Sequence, residues 1–493
     1  MPCRFRWVFC QLDALQHCFP PNLRRYLNEL PETLDGTHER ILKGINKAQK
    51  DNAHRLLRCL TVAVRPLLVE ELAELLAFEF QESTSRGIPA LKEDWRWDDE
   101  EEAVLSTCSS LITIIPRGGS RVVQFSHFSV KEFLTSSRLA RSSRGDISRF
   151  HIDLEPAHTI MAQVCLATLL RLDAHAGNSN SNGSPLVKYA AEHWVDHAQV
   201  DKVSSRVKDG MNDLFDRSKP HFVAWLQVHD VDRPWHTFSS RSGDHVGSPL
   251  YYAAFCGFYD LAERLIMDHP EHVNARGGRN LFPLPAALYK RHFRVANLLY
   301  QHGAVVDVQG DYNYTPLLAV SYSGQVDTMQ WLLDHGADAN ARGLYDITPL
   351  IEAANSMQLE AVQVLLEHNS DINSQSSSGA TPLHWALASG SNREENVVAV
   401  VRRLLEHGAD PNILKHDDSS ALHRASTCGW LEVARMLLSF GAKVDDVDGK
   451  GMTPFQLAVS DEMTKLLVEH GAVPQSCAYH VHVLVTQTRT MSL

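Results

Sequence analysis

Twenty-six histidines in 493 residues are the first feature that could do chemistry, because a neutral imidazole ligates metals and moves protons near neutral pH. Their spacing points elsewhere. His302, His335, His407 and His470 each stand directly before a glycine and His368 before Asn369, while His384 and His423 share one earlier position of the same pattern. A capping imidazole bonding nearby backbone fits such regularity better than coordination, and no Cys/His cluster has zinc-ligand spacing. His480-x-His482 is too short a signal to use. Nine scattered cysteines (Cys3, Cys10, Cys18, Cys59, Cys108, Cys165, Cys256, Cys428 and Cys477) form no Cys-x-x-Cys pair and read as reduced thiols. No Gly-x-Ser-x-Gly presents a nucleophile, and no Gly-x-x-x-x-Gly-Lys-Ser/Thr loop aims backbone N–H groups at phosphates. The acidic run Asp94 to Glu102, interleaved with Trp95 and Trp97, reads as a solvated loop. The expectation is a chain without catalytic residues, cofactor, metal or small-molecule substrate.

The histidine pattern belongs to a longer period. Ser248-Pro-Leu, Phe282-Pro-Leu, Thr315-Pro-Leu, Thr348-Pro-Leu, Thr381-Pro-Leu-His, Ser420-Ala-Leu-His and Thr453-Pro-Phe recur at spacings of 34, 33, 33, 33, 39 and 33 residues. A Leu pair follows about 17 residues after the Thr, as at Leu332-Leu333 and Leu365-Leu366. Gly-Ala-Asp-x-Asn comes next, intact at Gly336 to Asn340 and Gly408 to Asn412. Thr or Ser caps a first helix, Pro fits its first turn, and Gly closes each helix in a left-handed conformation. This pattern resembles the ankyrin repeat. The resemblance implies seven helix-turn-helix units over 248–475: 248–281, 282–314, 315–347, 348–380, 381–419, 420–452 and 453–475. The 39-residue spacing reflects about six extra residues near Ser391 to Asn396 in the fifth unit, most simply a longer loop between its two helices, and the last unit is short, as a terminal cap would be. The resemblance also implies a protein partner on the concave face, which selects Tyr252, Tyr312, Tyr314, Tyr322, Tyr345, Glu352, Trp385 and Arg424. Aromatics and Arg are enriched among binding hot spots, although such rings also pack between adjacent turns.

Before residue 248 the period is absent. Leu34 to Lys47, Ala53 to Val64 and Val69 to Phe78 carry apolar residues at helical spacing. Ser110 to Ile115, the turn Pro116-Arg-Gly-Gly119 and Val122 to Phe125 read as a hairpin. Three helices and a hairpin make a winged helix over 34–140. Helices at Pro156 to Leu172 and Leu186 to Ala198 form a helical linker domain over 151–240, with Tyr189-Ala-Ala-Glu-His-Trp194 as a packing face. Phe5 to Leu15, Leu30-Pro-Glu-Thr-Leu34, Arg65-Pro-Leu-Leu-Val-Glu-Glu-Leu72 and Phe125-Ser-His-Phe-Ser-Val-Lys-Glu-Phe133 resemble fungal NACHT–ankyrin proteins. In these a winged-helix region, as in GPI inositol-deacylase winged helix domain proteins, follows the ATPase module. The resemblance makes 1–33 the remnant of a NACHT-like module and 476–493 a tail. It places the start of the chain after the ATPase core, as a natural short form or an incomplete gene model.

The composition agrees with a folded, mostly α chain: a helical and winged-helix N-terminal half, then an ankyrin-repeat α-solenoid. Single cores stop growing at roughly 250 to 300 residues, so about three domains are expected. Of the net charge of -12, about -11 falls within 248–475, which repels phosphate backbones and argues against nucleic acid. Arg55, Arg58 and Arg65 are balanced by Glu70, Glu71 and Glu74, so the winged helix lacks a basic face. No apolar stretch of 18 residues provides a membrane span. A cytoplasmic location, or a nuclear one, is expected. The function expected is protein–protein interaction in fungal innate-immunity-like or self/non-self signalling. Two alternatives are the regulatory or sensor part of a nucleotide-dependent switch and a winged-helix DNA-binding regulator.

Overall fold

The structure, a computed structural model, describes residues 33–80, 88–108, 110–142, 145–172, 184–233, 247–310, 313–388 and 394–474. The chain divides into two compact units, Met1–His302 and Gly303–Leu493. The packing division therefore falls inside the second repeat, just after its second helix, Phe293–Gln301.

In the first unit, Thr33 caps helix Leu34–Gly44 by accepting from Gly36 N at 3.1 Å. Helix Lys50–Val62 buries Ala53, Leu56, Leu57 and Cys59, one stripe of a 3.6-residue period. Strand β1 (Leu67–Leu68) leads into helix Val69–Glu74, then β2 (Phe78–Glu79) pairs with β3 (Ala90–Leu91). Strands β4 (Ile112–Arg117) and β5 (Ser120–Phe125) pair antiparallel, and β1 adds to β5, giving the order β1-β5-β4. Gly118 and Gly119 turn the β4–β5 hairpin with φ of 57° and 88°, the mirror-image turn whose twist matches paired strands.

One element differs from the sequence reading. The acidic run is not wholly a loop: helix Glu100–Cys108 starts inside it and directly precedes the wing. Asp99 Oδ1 accepts from Glu102 N at 3.0 Å as its cap, and Glu100, Glu101 and Glu102 fill the first turn. Carboxylates there complement the positive end of the helix dipole, so acidity alone does not signal a loop.

Beyond the wing, helices Leu154–Leu169, Val187–Ala198 and His221–Val228 surround an aromatic cluster. Trp194 lies 5.3 Å from Trp225 and 5.4 Å from Phe258 between ring centroids, and Trp225 lies 6.1 Å from Tyr252. Tyr189, Trp194 and Trp225 are wholly buried, as a packing face requires. Phe258 and Tyr252 belong to the first repeat, so this cluster explains why the early repeats cluster with the front of the chain.

Where a hydroxyl residue opens the first helix, it caps that helix; Phe282, which opens the second repeat, makes no side-chain cap bond. Ser248, Thr315, Thr348 and Ser420 accept from the backbone N–H three residues on, and Pro opens the first helix in most units. Gly257, Gly324 and Gly429 leave that helix with positive φ. Arg291 and Met357 occupy the same position with φ of 60° and 56°, a conformation costing a side chain about 1 kcal/mol. Gly390, at the equivalent position of the fifth unit, lies outside the described residues. The extra residues of that unit do more than lengthen a loop: its second helix, Glu394–Glu406, has 13 residues against nine in Leu359–Glu367. In the last unit the first helix is reduced to turns, and Ser460 caps helix Asp461–Glu469.

Candidate functional site

The repeats of Gly303–Leu493 are tied together by their turn residues. Within each Gly-Ala-Asp-x-Asn, the Asp accepts from the Asn N–H two residues on, as Asp338 does from Asn340 and Asp410 from Asn412, both at 2.9 Å. The Asn then reaches the next unit: Asn340 Oδ1 accepts from Asp371 N at 2.7 Å, Asn373 Oδ1 from Asp410 N at 2.9 Å and Asn412 Oδ1 from Lys443 N at 2.8 Å. Asp307 does the same for Asp338 N at 2.9 Å. Asp and Asn after a helix-closing Gly favour a tight turn by themselves, and the bond to the next unit adds to that role. Their recurrence in phase with the repeat, at Asn340, Asn373 and Asn412, was the available signal for a bridge.

The histidines are caps. His335, His368, His407 and His470 each place Nδ1 2.7–2.9 Å from the carbonyl four residues earlier, satisfying helix C-terminal oxygens. His384 and His423 bond back to the hydroxyls of Thr381 and Ser420 at 2.8 and 2.7 Å.

On this scaffold the candidate binding residues divide. Tyr252 is buried, its hydroxyl donating to Asp230 Oδ1 at 3.0 Å; it packs against Trp225 and presents nothing to a partner. Tyr312 lies outside the described residues. Tyr314 donates to Glu352 Oε1 at 3.3 Å. Burial raises the Glu352 carboxyl above its ordinary range and the Tyr314 hydroxyl to about 12. Tyr322 is exposed. Trp385 is half-buried, with Nε1 donating to Ser376 Oγ at 3.4 Å. Arg424 is exposed and donates through Nε to the Leu387 carbonyl at 3.2 Å.

Tyr345 is the most exposed of the described aromatic candidates, at 68%. It sits at φ 58°, ψ 30°, followed by Asp346 at φ 55°. The turn is closed by Ile347 N donating to Leu344 O at 3.3 Å, and Ser377 N donates to the Tyr345 carbonyl at 2.8 Å. Two consecutive non-glycine residues in the left-handed region store strain that the surrounding hydrogen bonds must hold.

Elsewhere the chemistry is subdued. Burial pushes the Cys59 and Cys108 thiols up to about 12 and raises those of Cys165 and Cys256 further, so they are not poised thiolates. Among the described residues His269, Glu271 and His272 bring possible metal ligands together, with His269 Nδ1 3.1 Å and His272 Nε2 3.9 Å from Glu271 Oε1. Arg217 Nη1, however, donates to that His272 Nε2 at 2.8 Å. In the winged helix, Arg65 is forked onto buried Glu71 at 2.6 and 2.8 Å and Arg55 donates to the Phe78 carbonyl at 2.9 Å. The helix beside the wing starts with three glutamates.

Family models match this arrangement. The model for the winged helix domain of GPI inositol-deacylase covers residues 39–146, and the model for ankyrin repeats matches three times, over 250–343, 341–415 and 393–476. The chain thus carries a winged helix domain followed by ankyrin repeats. This is the architecture that its resemblance to NACHT-associated proteins implied. A Monascus ruber protein named azaphilone pigments biosynthesis cluster protein L is 31% identical over 293 residues, covering 56% of this chain and 60% of that protein. The winged-helix–ankyrin chain thus spans less than two thirds of that relative. The ARF GTPase-activating protein Git of Drosophila melanogaster is 47% identical over 57 residues, 11% of this chain and 8% of Git. The ankyrin repeat domain of Bcl-3, a solved structure, aligns at 29% identity with a TM-score of 0.42 over 46% of this chain and all of Bcl-3's. No helix among the described residues is long and apolar enough to cross a membrane.

Proposed function

We propose that the protein is a non-catalytic scaffold that holds a partner protein on the exposed first-helix and turn positions of its repeats. The observation that carries this reading is the strained Tyr345-Asp346 turn, which holds a large and mostly exposed aromatic ring outward. Tyr314, Tyr322, Glu352, Trp385 and Arg424 extend the surface, and Tyr252 leaves the set because it is buried. The setting is fungal innate-immunity-like or self/non-self signalling, in the cytoplasm; the fungal relative supports the kingdom rather than the pathway. Changing the exposed Tyr322 and Tyr345 together to Ala abolishes co-purification of the partner held by the unaltered chain, with the thermal midpoint of the repeats unchanged. Retained co-purification sinks the site.

A second reading, the sensor part of a nucleotide-dependent switch, draws on the winged helix domain match. An in-frame phosphate-binding loop in transcript upstream of Met1 supports it. A DNA-binding role is disfavoured by the glutamates of helix Glu100–Cys108, and a salt-sensitive gel shift would revive it.

A further inference from the structure

We propose that the unit Met1–His302 carries a binding cleft for a small organic anion, a carboxylate or phosphate joined to an apolar body. This site is separate from the repeat face proposed above and does not depend on it. The cleft, open to solvent, has a volume of about 430 Å³, with Arg217, Lys219, His272 and Arg276 among its polar walls and Phe222 and Pro249 among its apolar ones. That volume is in the range of small-molecule sites, which pair an apolar lining with a few convergent polar groups. Among the described residues its lining holds no carboxylate, although Glu271 Oε1 lies 3.9 Å from the lining His272 Nε2.

The cations are not equivalent. Lys219 is held by Asp213 and lies 3.8 Å from Asp216, so its charge is largely met. Arg217 instead donates to His272 Nε2 at 2.8 Å. Arg217 can only donate, so the His272 ring accepts through Nε2 in this bond. It fixes the guanidinium without cancelling its charge, leaving the remaining N–H groups of a planar fork suited to carboxylate or phosphate. Ser248, at the cap of helix Pro249–Cys256, also lines the cleft, adding the positive end of that helix. The apolar wall beside this field selects an anion with a hydrophobic body over a bare ion.

The Arg217–His272 bond also decides against a metal. A cation bound by His269, Glu271 and His272 would need the His272 lone pair that Arg217 already engages, and would face that guanidinium's charge.

Calorimetric titration of the full chain tests the assignment, with 2-naphthoate, 1-naphthyl phosphate, inorganic phosphate and zinc chloride as separate probes. One saturable site for an aryl anion is expected, weakened at least tenfold by Arg217→Ala and by Arg276→Ala and unchanged by Tyr345→Ala. The tighter of the two aryl probes distinguishes a carboxylate from a phosphate ligand. Both arginines lie on a solvent-facing cleft, and unchanged thermal midpoints confirm that the variants fold. Absence of saturable aryl-anion binding overturns the proposal, as does binding that survives both substitutions. Inorganic phosphate binding as tightly as the aryl anions removes the apolar selection and overturns it too, as does zinc binding that Arg217→Ala leaves unaltered.

Discussion

The two compact units solve polar burial differently. In Gly303–Leu493 the hydrogen bonds recur: Asn340, Asn373 and Asn412 each accept from the next repeat, about one period away in sequence. In Met1–His302 they are single and far-reaching: His38 bonds Ser129 across 91 residues, and Tyr189 bonds both His197 Nε2 and Val64 N. Glu71 and Glu74 are buried under Arg65 and Arg96. A stack distributes its stability over many similar small terms, whereas the front unit concentrates it in a few groups that cannot be lost one at a time.

Acid should separate the units most. Burial depresses His38 and His54 to about 4 and His197 to about 3 in the first unit, against His384, at about 4, in the second. A histidine whose folded pKa lies below its unfolded value of about 6.5 contributes full stability above that value. The contribution is lost as pH falls toward the folded pKa, at about 1.4 kcal/mol per pH unit for each group. Circular dichroism with denaturant at stepped pH should show the first unit failing first between about pH 6 and 4. A single transition shared by both units would break the contrast.

Glu71→Ala comes next. It leaves Arg65 without its fork and Leu68 N without the 2.8 Å acceptor it now has, and removing one partner of a buried pair costs about 3–5 kcal/mol. The chemical-denaturation midpoint of the first unit should fall while that of the second holds. Asn412→Ala should have a smaller effect, about 1 kcal/mol, because it removes the bond from Lys443 N and the 3.0 Å bond to Gly441 O at an exposed edge. Met357→Gly should act in the opposite sense, stabilising the second unit by about 0.5 kcal/mol by relieving φ 56°. Loss of stability there would mean that the methionine's contacts outweigh its strain.

Legibility followed the same division. The Thr-Pro-Leu caps, the Leu pairs and the capping histidines were readable because each acts within a few residues of itself. Helix Glu100–Cys108 was not, because three glutamates favour a helix start as much as a solvated loop until Asp99 is seen to cap it. Among the binding candidates, the repeat register placed Tyr345 and Tyr322 at exposed positions but could not distinguish them from Tyr252. That ring is drawn inward by Asp230 and Trp225, partners 22 and 27 residues away that belong to no repeat.

The sequence by itself determined the repeat stack and the presence of a winged helix, because periodic caps, turns and apolar stripes are local instructions. Tertiary structure alone decided that the early repeats cluster with the front unit, that Asn340, Asn373 and Asn412 bridge neighbours, and that Arg217 meets His272 beside an apolar wall. Those outcomes depend on groups brought together by packing, and burial, charge pairing and strain exist only once that packing is complete.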